Sequence, residues 1–378
     1  MKLRPVVSAL AALFGAAALA LGGCASSPGS AGQSGATAVE LPPLAEVEPL
    51  ADPTTYVGPT TAIVGGPTIA PLADPPSPQL PATVTSESAQ GTREVTVESV
   101  DRVVVLSLTG SVGELVYAYG MKDNIVGRDI STNFPGADDI PIVTREGHSV
   151  DAESIMALNP TLILTDGTVG PADVVLQMQD AGVPVVTVTR AVNPQTSYAA
   201  AEQVADALGI PAAAPQLVAE LEAAIAAKET EVAALVPADE TKIPRVAFLY
   251  VRGTAGIFYL FGEGSGIDST IESLGAIDAA KEIGWAGEKP MTEEALIAMD
   301  PDVIIVMTKG LESAGGVDGF LAAQPSVALT SAGQNRRIID VDDGVIFAGG
   351  TRIPDVIDGL ARALYAPDSL ADANTNGN

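Results

Sequence analysis

Two stretches of this chain alternate short β-branched runs with helical patterns, and a long helix-forming stretch separates them. The runs lie at residues 102–107, 161–164 and 183–188 in the first stretch and at 245–250, 302–307 and 337–341 in the second. Continuous apolar runs of this length are typical of buried parallel strands. Residues 196–241 are rich in Ala, Glu and Leu. The sequence therefore predicts an α/β fold, with two Rossmann-like lobes (93–195 and 242–367) joined by a single long rigid helix within a helical connector.

One segment of each predicted lobe repeats the same pattern. Residues 153–163 match residues 294–304, with Glu, Ala and Pro at equal spacing. Each segment predicts a helix with an apolar stripe, a proline that ends it, and then a buried strand. A helix followed by proline and a strand is a common local arrangement. The equal spacing of three residue types is therefore what favours two related lobes.

The start of the chain has the layout of an export signal. Residues 2–4 are basic, residues 5–21 form an apolar run, and small residues follow up to Cys24. This order is typical of a cleavable signal, and the run is short for a membrane span. Leu21-Gly22-Gly23-Cys24 resembles the bacterial lipoprotein signal. The resemblance implies that residues 1–23 are removed and Cys24 is lipidated; an ordinary secretory signal with an incidental cysteine is the alternative.

Composition constrains the order, the partners and the disulfide content of the rest of the chain. Residues 24–92 are rich in Pro, Ala, Ser and Thr and contain no Lys or Arg, which predicts a disordered tether, although the short apolar run 61–64 leaves a marginal strand possible. Residues 368–378 are expected to form a disordered tail. The formal net charge is −28, which argues against nucleic acid as a partner and against docking on anionic lipid. Cys24 is the only cysteine, so the fold is held by its core without disulfides.

Taken together, these features resemble the substrate-binding proteins of ABC importers for haem, cobalamin and ferric siderophores. The segments that carry the resemblance are 105–107 with 113–120, the two repeated segments, and 264–266 with 271–276. The resemblance implies a ligand cleft between the lobes, bounded by loops at the carboxyl ends of strands. It also implies an extracytoplasmic location, with a lipid anchor on the outer face of the bacterial cell membrane, and transport rather than catalysis.

Residues that could bind the ligand occur in both lobes. His148, the only histidine, directly precedes the first repeated helix, and Tyr250 ends a strand of the second lobe. Tyr250 and Arg252 are two residues apart, so they share one face of that strand. A neighbouring guanidinium favours the phenolate, which is an established haem ligand. The Tyr-x-Arg-Gly pattern resembles haem-binding members of the family and implies ferric haem held between His148 and Tyr250, with Arg252 bonded to Tyr250.

Other residues receive weaker assignments from the same resemblance. Arg352 is expected to meet a haem propionate, with Arg145 and Arg128 as weaker candidates. Phe258 and Tyr259 are candidates for porphyrin contact or for core packing.

Glu153 and Glu294, at matched positions of the repeat, are expected to dock on the ABC permease, although carboxylates are also favoured in a first helical turn. Upstream haem-relay surface proteins are further candidate partners.

Three alternatives stay open at this stage. Ferric siderophores also suit clefts lined by Arg and Tyr, and cobalamin would use aromatic contacts such as Trp285. A structural wall-associated lipoprotein would bind no ligand. An enzyme is not expected, because no Ser-His-Asp order is suggested around His148 and the glycine-rich run 262–266 lacks the lysine of a phosphate-binding loop.

Overall fold

The computed structural model describes residues 41–88, 91–144, 149–347 and 349–370. Its strands are β1 (Thr60–Thr61), β2 (Ala82–Ser88), β3 (Gly91–Val97), β4 (Val103–Leu106), β5 (Ile125–Arg128), β6 (Leu162–Thr165), β7 (Val185–Thr187), β8 (Arg245–Arg252), β9 (Ile257–Phe261), β10 (Ile277–Asp278), β11 (Glu288–Pro290), β12 (Val303–Met307) and β13 (Ile338–Val341). Its α-helices are α1 (Ser111–Ala118), α2 (Ala152–Ala157), α3 (Ala172–Asp180), α4 (Pro194–Ala207), α5 (Ala214–Ala233), α6 (Ile267–Ser273), α7 (Ala279–Glu282), α8 (Glu293–Met299), α9 (Thr308–Ser313), α10 (Gly316–Ala323), α11 (Pro325–Leu329), α12 (Ser331–Gln334) and α13 (Ile353–Tyr365).

Each lobe is built on its own sheet, as the sequence predicts. The first-lobe sheet has the order β5-β4-β6-β7 and is parallel throughout. The second has the order β1-β13-β12-β8-β9-β11, with β10 also paired to β8, and only β9 and β11 run antiparallel to their neighbours. Every residue of β4, β6, β12 and β13 is buried, which is why these strands are continuous apolar runs.

The connector and the last helix join the two lobes through one hydrophobic core. Helix α5 has 20 residues and is about 30 Å long. It packs against α13, and Lys228 of α5 lies 2.8 Å from Asp358 of α13. A single buried cluster runs from first-lobe strands through α5 and α13 into second-lobe strands. Because protein interiors are close-packed, this shared core limits the lobes to small relative movements.

The expectation of a disordered tether is wrong for residues 41–88, which we call the N-terminal segment. Strand β1 pairs in parallel with β13 at the edge of the second sheet. Leu44, Ala62 and Ile69 are buried in the shared core. The Leu72 main-chain N–H then donates to the Ala118 carbonyl of α1, at 2.8 Å. Backbone hydrogen bonds and a few apolar side chains therefore hold the proline-rich residues 41–81 on both lobes without an α-helix or a long strand, and residues 82–88 form β2, which pairs antiparallel with β3.

The ends of the chain also differ from the expected boundaries. Residues 367–370 form a 3₁₀ turn in which Leu370 is buried, so the chain remains packed at least three residues into the expected tail. The signal and Cys24 lie outside the described residues. In the part of the chain that the structure describes, no helix has the length and apolarity needed to cross a bilayer.

The repeated segments adopt the same local structure in both lobes. Helix α2 is capped by Asp151 and α8 by Thr292, each two residues before the matched glutamate. Asn159 and Asp300 follow at matched positions, with positive φ angles of 47° and 36°. Proline and then strand β6 or β12 come next. The similarity therefore extends to an uncommon backbone conformation, which supports the prediction of two related lobes.

Candidate ligand-binding cleft

One wall of the candidate cleft is the carboxyl end of β8 together with the start of β9. Tyr250 pairs with Tyr259 in the antiparallel register, and Arg252 pairs with Ile257. Directly opposed residues share a face of the sheet, so these four side chains form one surface. Tyr250 and Arg252 are half-buried, whereas Tyr259 and Ile257 are 37% and 40% exposed. This surface is apolar and aromatic, with one cation at its edge.

An aromatic cluster supports Tyr250 from the interior. The ring centroid of Tyr250 lies 6.4 Å from that of Phe261, and the planes of the two rings are 21° apart. Phe261 in turn lies 5.2 Å from Phe248 and 5.4 Å from Phe347. Packed aromatic rings have few alternative positions, so the cluster fixes the direction of the Tyr250 ring.

Arg252 lies over the ring of Tyr250 and is held there by an acidic residue. Its Cζ atom is 4.5 Å from the ring centroid, and its Nη2 atom is 3.2 Å from Asp343 Oδ2. Asp343 is fixed by the Lys309 main-chain N–H, which donates to its other oxygen at 2.9 Å. The expected bond between Arg252 and the phenol oxygen is therefore replaced by a cation–π contact.

Helix α9 approaches Arg252 closely because residue 310 is glycine. A Cβ atom there would lie 2.6 Å from the Val251 carbonyl oxygen and 3.2 Å from Arg252 Nη1. Asp343 was not among the residues predicted to line the cleft. The signal that could have found it is an acidic pair, Asp342-Asp343, directly after the predicted strand 337–341.

Two aromatic candidates belong to the opposite face of the second sheet. The ring of Phe258 stacks on that of Phe320, with centroids 6.2 Å apart, and packs on the second-lobe core. Trp285 packs on the same core and donates from Nε1 to the Leu260 carbonyl at 3.1 Å. Phe258 is therefore a core residue, which corrects its assignment to porphyrin contact, and Tyr259 keeps that candidacy.

Loops at the carboxyl end of the first-lobe sheet are the predicted opposite wall of the cleft. Ser107 follows β4; its main-chain N–H donates to Asp129 at 2.9 Å and its hydroxyl to Asp166 at 2.7 Å. Burial raises the pKa of Asp129 to about 6, although hydrogen bonds from main-chain N–H groups and a threonine hydroxyl lower it. These bonds fix loops from which Leu108 and Ile130 project, 38% and 49% exposed.

Two of the predicted ligand-binding residues, His148 and Arg145, lie outside the described residues. On one side of them, Ser149 pairs with Gly170 in the loop that follows β6, and the Val150 N–H donates to the Gly170 carbonyl at 2.7 Å. Residue 149 is therefore at the carboxyl end of the first sheet. That position is compatible with the assignment of His148 to the cleft, which stays a prediction.

Arg128 is a structural residue rather than a candidate for a propionate. It is buried, its Nε atom donates to the Ala137 carbonyl at 2.9 Å, and Nη1 donates to the Thr132 carbonyl at 3.0 Å. The expectation that it faces a ligand is wrong, because these bonds close the loop that follows β5.

Arg352 is buried at the junction of the lobes instead of facing a propionate. Its Nε atom donates to Asp355 at 2.9 Å, and Nη2 donates to the Gly65 carbonyl of the N-terminal segment at 2.9 Å. Its Nη1 atom is 3.6 Å from Glu114 of α1. Thr68 also donates to Asp355, from its main-chain N–H and its hydroxyl. Three parts of the chain thus meet at one guanidinium, and the propionate assignment is wrong in this conformation.

Glu114 is the unusual member of this junction. Burial raises its pKa to about 8, while Arg352 lowers it and the charges of Asp355 and Asp129 raise it further. Its Oε2 atom has no hydrogen-bond partner among the described residues. Glu114 lies within the segment 113–120 that carries the family resemblance, but no role was predicted for it.

A crevice opens beside the aromatic cluster, between the start of α4, the start of α6 and α13. It is lined by Asn193, Ser265, Thr270, Ile346, Phe347 and Ile353, among others. Phe347 belongs both to the crevice and to the cluster beneath Tyr250. The crevice therefore adjoins the candidate cleft at the junction of the lobes.

Glu153 and Glu294 lie in the first turns of α2 and α8, and both are exposed. The structure thus places one exposed carboxylate at the same point of each lobe. Their role in docking stays a prediction.

Comparison with known proteins gives a consistent result. A family model described as "Periplasmic binding protein" matches residues 105–345. An uncharacterized ABC transporter substrate-binding lipoprotein of Bacillus subtilis (strain 168), YvrC, is 28% identical over 300 residues, which cover 77% of this chain and 88% of that protein.

Two solved structures are similar over most of their length. The heme binding protein HmuT is 35% identical, with a TM-score of 0.74, over 83% of this chain and 99% of that one. The periplasmic heme-binding protein RhuT from Roseiflexus sp. RS-1, in apo form, is 37% identical, with a TM-score of 0.61, over 71% of this chain and 98% of that one.

Proposed function

Because the chain belongs to the periplasmic binding protein family, we propose that it captures ferric haem between its lobes and delivers it to an ABC permease. The observation that carries the proposal is Tyr250, an oxygen donor half-buried on an apolar wall at the carboxyl end of β8. Tyrosine is an established axial ligand of haem iron. Similarity to HmuT and RhuT, which are named as heme-binding proteins, supports the same ligand.

The two walls suit the flat apolar faces of a porphyrin. Ile257 and Tyr259 are exposed on the second lobe, and Leu108 and Ile130 are exposed on the first. Covering these side chains with the macrocycle removes apolar surface from water on both partners, which favours binding. Tyr250 ligates the iron from one face in this proposal, and His148 ligates it from the other.

Cations near the second wall contribute to binding of an anionic ligand. Arg252 is one-third exposed at its side chain and lies beside Tyr250. Lys309 is exposed at the start of α9. Because Arg352 and Arg128 are engaged by protein groups, we assign Arg252 and Lys309 to attracting an anionic ligand and pairing with a propionate.

Delivery needs an anchor and a docking surface. We assign the anchor to a lipid on Cys24 at the outer face of the cell membrane. The exposed glutamates Glu153 and Glu294 are assigned to contact with the permease, one from each lobe. The Bacillus subtilis relative is described as an ABC transporter substrate-binding lipoprotein, which supports a lipid anchor and an ABC importer as the partner.

The test is an absorption titration of the chain from residue 25 onward with ferric haem. We expect a Soret band that saturates near one equivalent. Tyr250→Phe removes the oxygen donor and keeps the ring, so it should change the band and weaken binding at least about tenfold. His148→Ala should change the band as well, because the second axial ligand is lost.

Tyr259→Phe is the matched control, because it removes a phenol oxygen from the neighbouring position of the same surface. It should leave the band and the affinity close to those of the wild type. A titration without a saturable band would reject haem as the ligand. A band that Tyr250→Phe leaves unchanged would keep haem and reject Tyr250 as its ligand.

A further inference from the structure

Large apolar side chains are exposed at matched positions of the two repeated helices. Met156 of α2 is 39% exposed and Ile297 of α8 is 55% exposed. Each comes three residues after the matched glutamate, Glu153 or Glu294. Residues three apart lie on the same side of a helix. Each lobe therefore presents one carboxylate and one apolar side chain together.

Packing within the lobes does not account for these two side chains. The preceding residues, Ile155 and Leu296, are 1% and 0% exposed and bury the helices against their lobes. Single exposed apolar residues are ordinary on protein surfaces. Here, however, the exposure recurs at the same point of two helices whose N-cap positions and following left-handed residues also match.

We infer that Met156 and Ile297 are apolar contacts for the ABC permease, one beside each docking carboxylate. This inference rests on the proposed function, because it names the contacts that accompany the glutamates at that surface. An exposed ion pair in water contributes little to affinity. An apolar side chain that excludes water beside the carboxylate both buries surface and strengthens the charge interaction.

Charge and symmetry favour a permease over the other occupants of this surface. The formal net charge of −28 and the adjacent glutamates oppose anionic lipid. A second copy of the chain would bring carboxylates against carboxylates. A permease with two like halves offers one contact to each lobe, which agrees with the repetition of the pair.

The experiment measures the affinity of the lipidated chain for its cognate ABC importer reconstituted in nanodiscs. Met156→Gln and Ile297→Gln keep the approximate size of the side chain and remove its apolar character. We expect each to weaken binding about fivefold and the double variant by more than about tenfold. Leu329→Gln is the matched control, since Leu329 is 67% exposed and lies outside the repeat; it should bind within about twofold of the wild type.

The outcomes separate this inference from the proposed function. If the double variant binds as tightly as the wild type while Glu153→Gln with Glu294→Gln weakens binding, docking holds and the apolar contacts are rejected. If the glutamate variants also bind normally, the docking assignment fails. Haem binding should be the same in all of these variants as in the wild type. If the wild type itself binds no haem, haem is rejected as the ligand and the docking assignment is unaffected.

Vesicle binding tests whether Met156 and Ile297 contact a lipid surface instead of the permease. Cosedimentation of the Cys24→Ser chain with vesicles of phosphatidylcholine and phosphatidylglycerol should show no binding that depends on Met156 or Ile297. Vesicle binding that both glutamine substitutions abolish, with importer affinity unchanged, would overturn the inference in favour of a lipid surface. An equal loss of importer affinity in Leu329→Gln would also overturn it.

Discussion

Arg252 contacts the π face of Tyr250 and forms an ion pair with Asp343. The guanidinium therefore contacts the ring instead of the phenol oxygen, which leaves that oxygen available for the proposed role of Tyr250 as an iron ligand. Period-two alternation along β8 was enough to place Tyr250 and Arg252 on one face. It could not reveal Asp343, because that contact joins residues 91 positions apart.

Glu114 is expected to make stability depend on pH. Its pKa is raised from 4.5 to about 8 by burial, so the folded chain binds a proton more tightly than the unfolded chain. The free energy of unfolding should then fall as pH rises from about 4.5 to about 8. Glu114→Gln removes this dependence and should be more stable than the wild type at pH 8 by about 4 kcal/mol, with little difference near pH 4.

Urea denaturation of both proteins at several pH values checks this expectation. Asp129 and Asp355, whose pKa values are also raised, are present in both proteins, so the difference between the two curves reports Glu114. Parallel curves would mean that Glu114 is ionised across the range and that Arg352 alone compensates its charge.

At the scale of elements, the repeated helix, proline and strand was the most reliable feature of the sequence. The apolar stripe and the proline predicted α2 with β6 and α8 with β12 correctly. The pattern did not reveal that Asn159 and Asp300 adopt left-handed conformations. Asn and Asp are only enriched at such positions, so the sequence allowed the conformation without requiring it.

Substitution of Asn159 tests whether this conformation limits the stability of the first lobe. Asn159 is exposed, with φ of 47°, and glycine adopts such angles without a Cβ penalty. Asn159→Gly should be at least as stable as the wild type. Asn159→Ala should be less stable than Asn159→Gly by about 1 kcal/mol. Equal denaturation midpoints for the two variants would contradict the left-handed assignment.

At the scale of the whole molecule, the N-terminal segment is the part that sequence reasoning missed. Its proline content and lack of periodicity are typical of disorder. Neither property reports the long-range hydrogen bonds that hold it, such as those from Leu50 N–H to the Tyr365 carbonyl and from Ala62 N–H to the Asp340 carbonyl, both 2.7 Å. These partners are near the other end of the chain, where local patterns carry no information about them.

Removal of the N-terminal segment should destabilise the domain. A chain that begins at residue 73 loses the buried side chains of Leu44 and Ile69 and the Gly65 carbonyl that accepts from Arg352. We expect a loss of at least about 3 kcal/mol from the two side chains and a thermal midpoint lower by at least about 5 °C. A chain that begins at residue 41 is the control and should melt with the chain from residue 25. Equal midpoints for the chains from residues 41 and 73 would contradict the packing of this segment.

The packed N-terminal segment also sets how far an anchored domain could travel. If the lipid is on Cys24, roughly 17 residues separate it from residue 41, where the described fold begins, and a chain of that length spans at most about 60 Å. A free tether to residue 92 would have allowed several times that distance. A short tether would keep the domain within a thin layer above the bilayer and would raise its effective concentration near an importer in the same membrane. The rate of encounter with the importer would then depend on lateral diffusion of the anchored protein more than on the length of the tether.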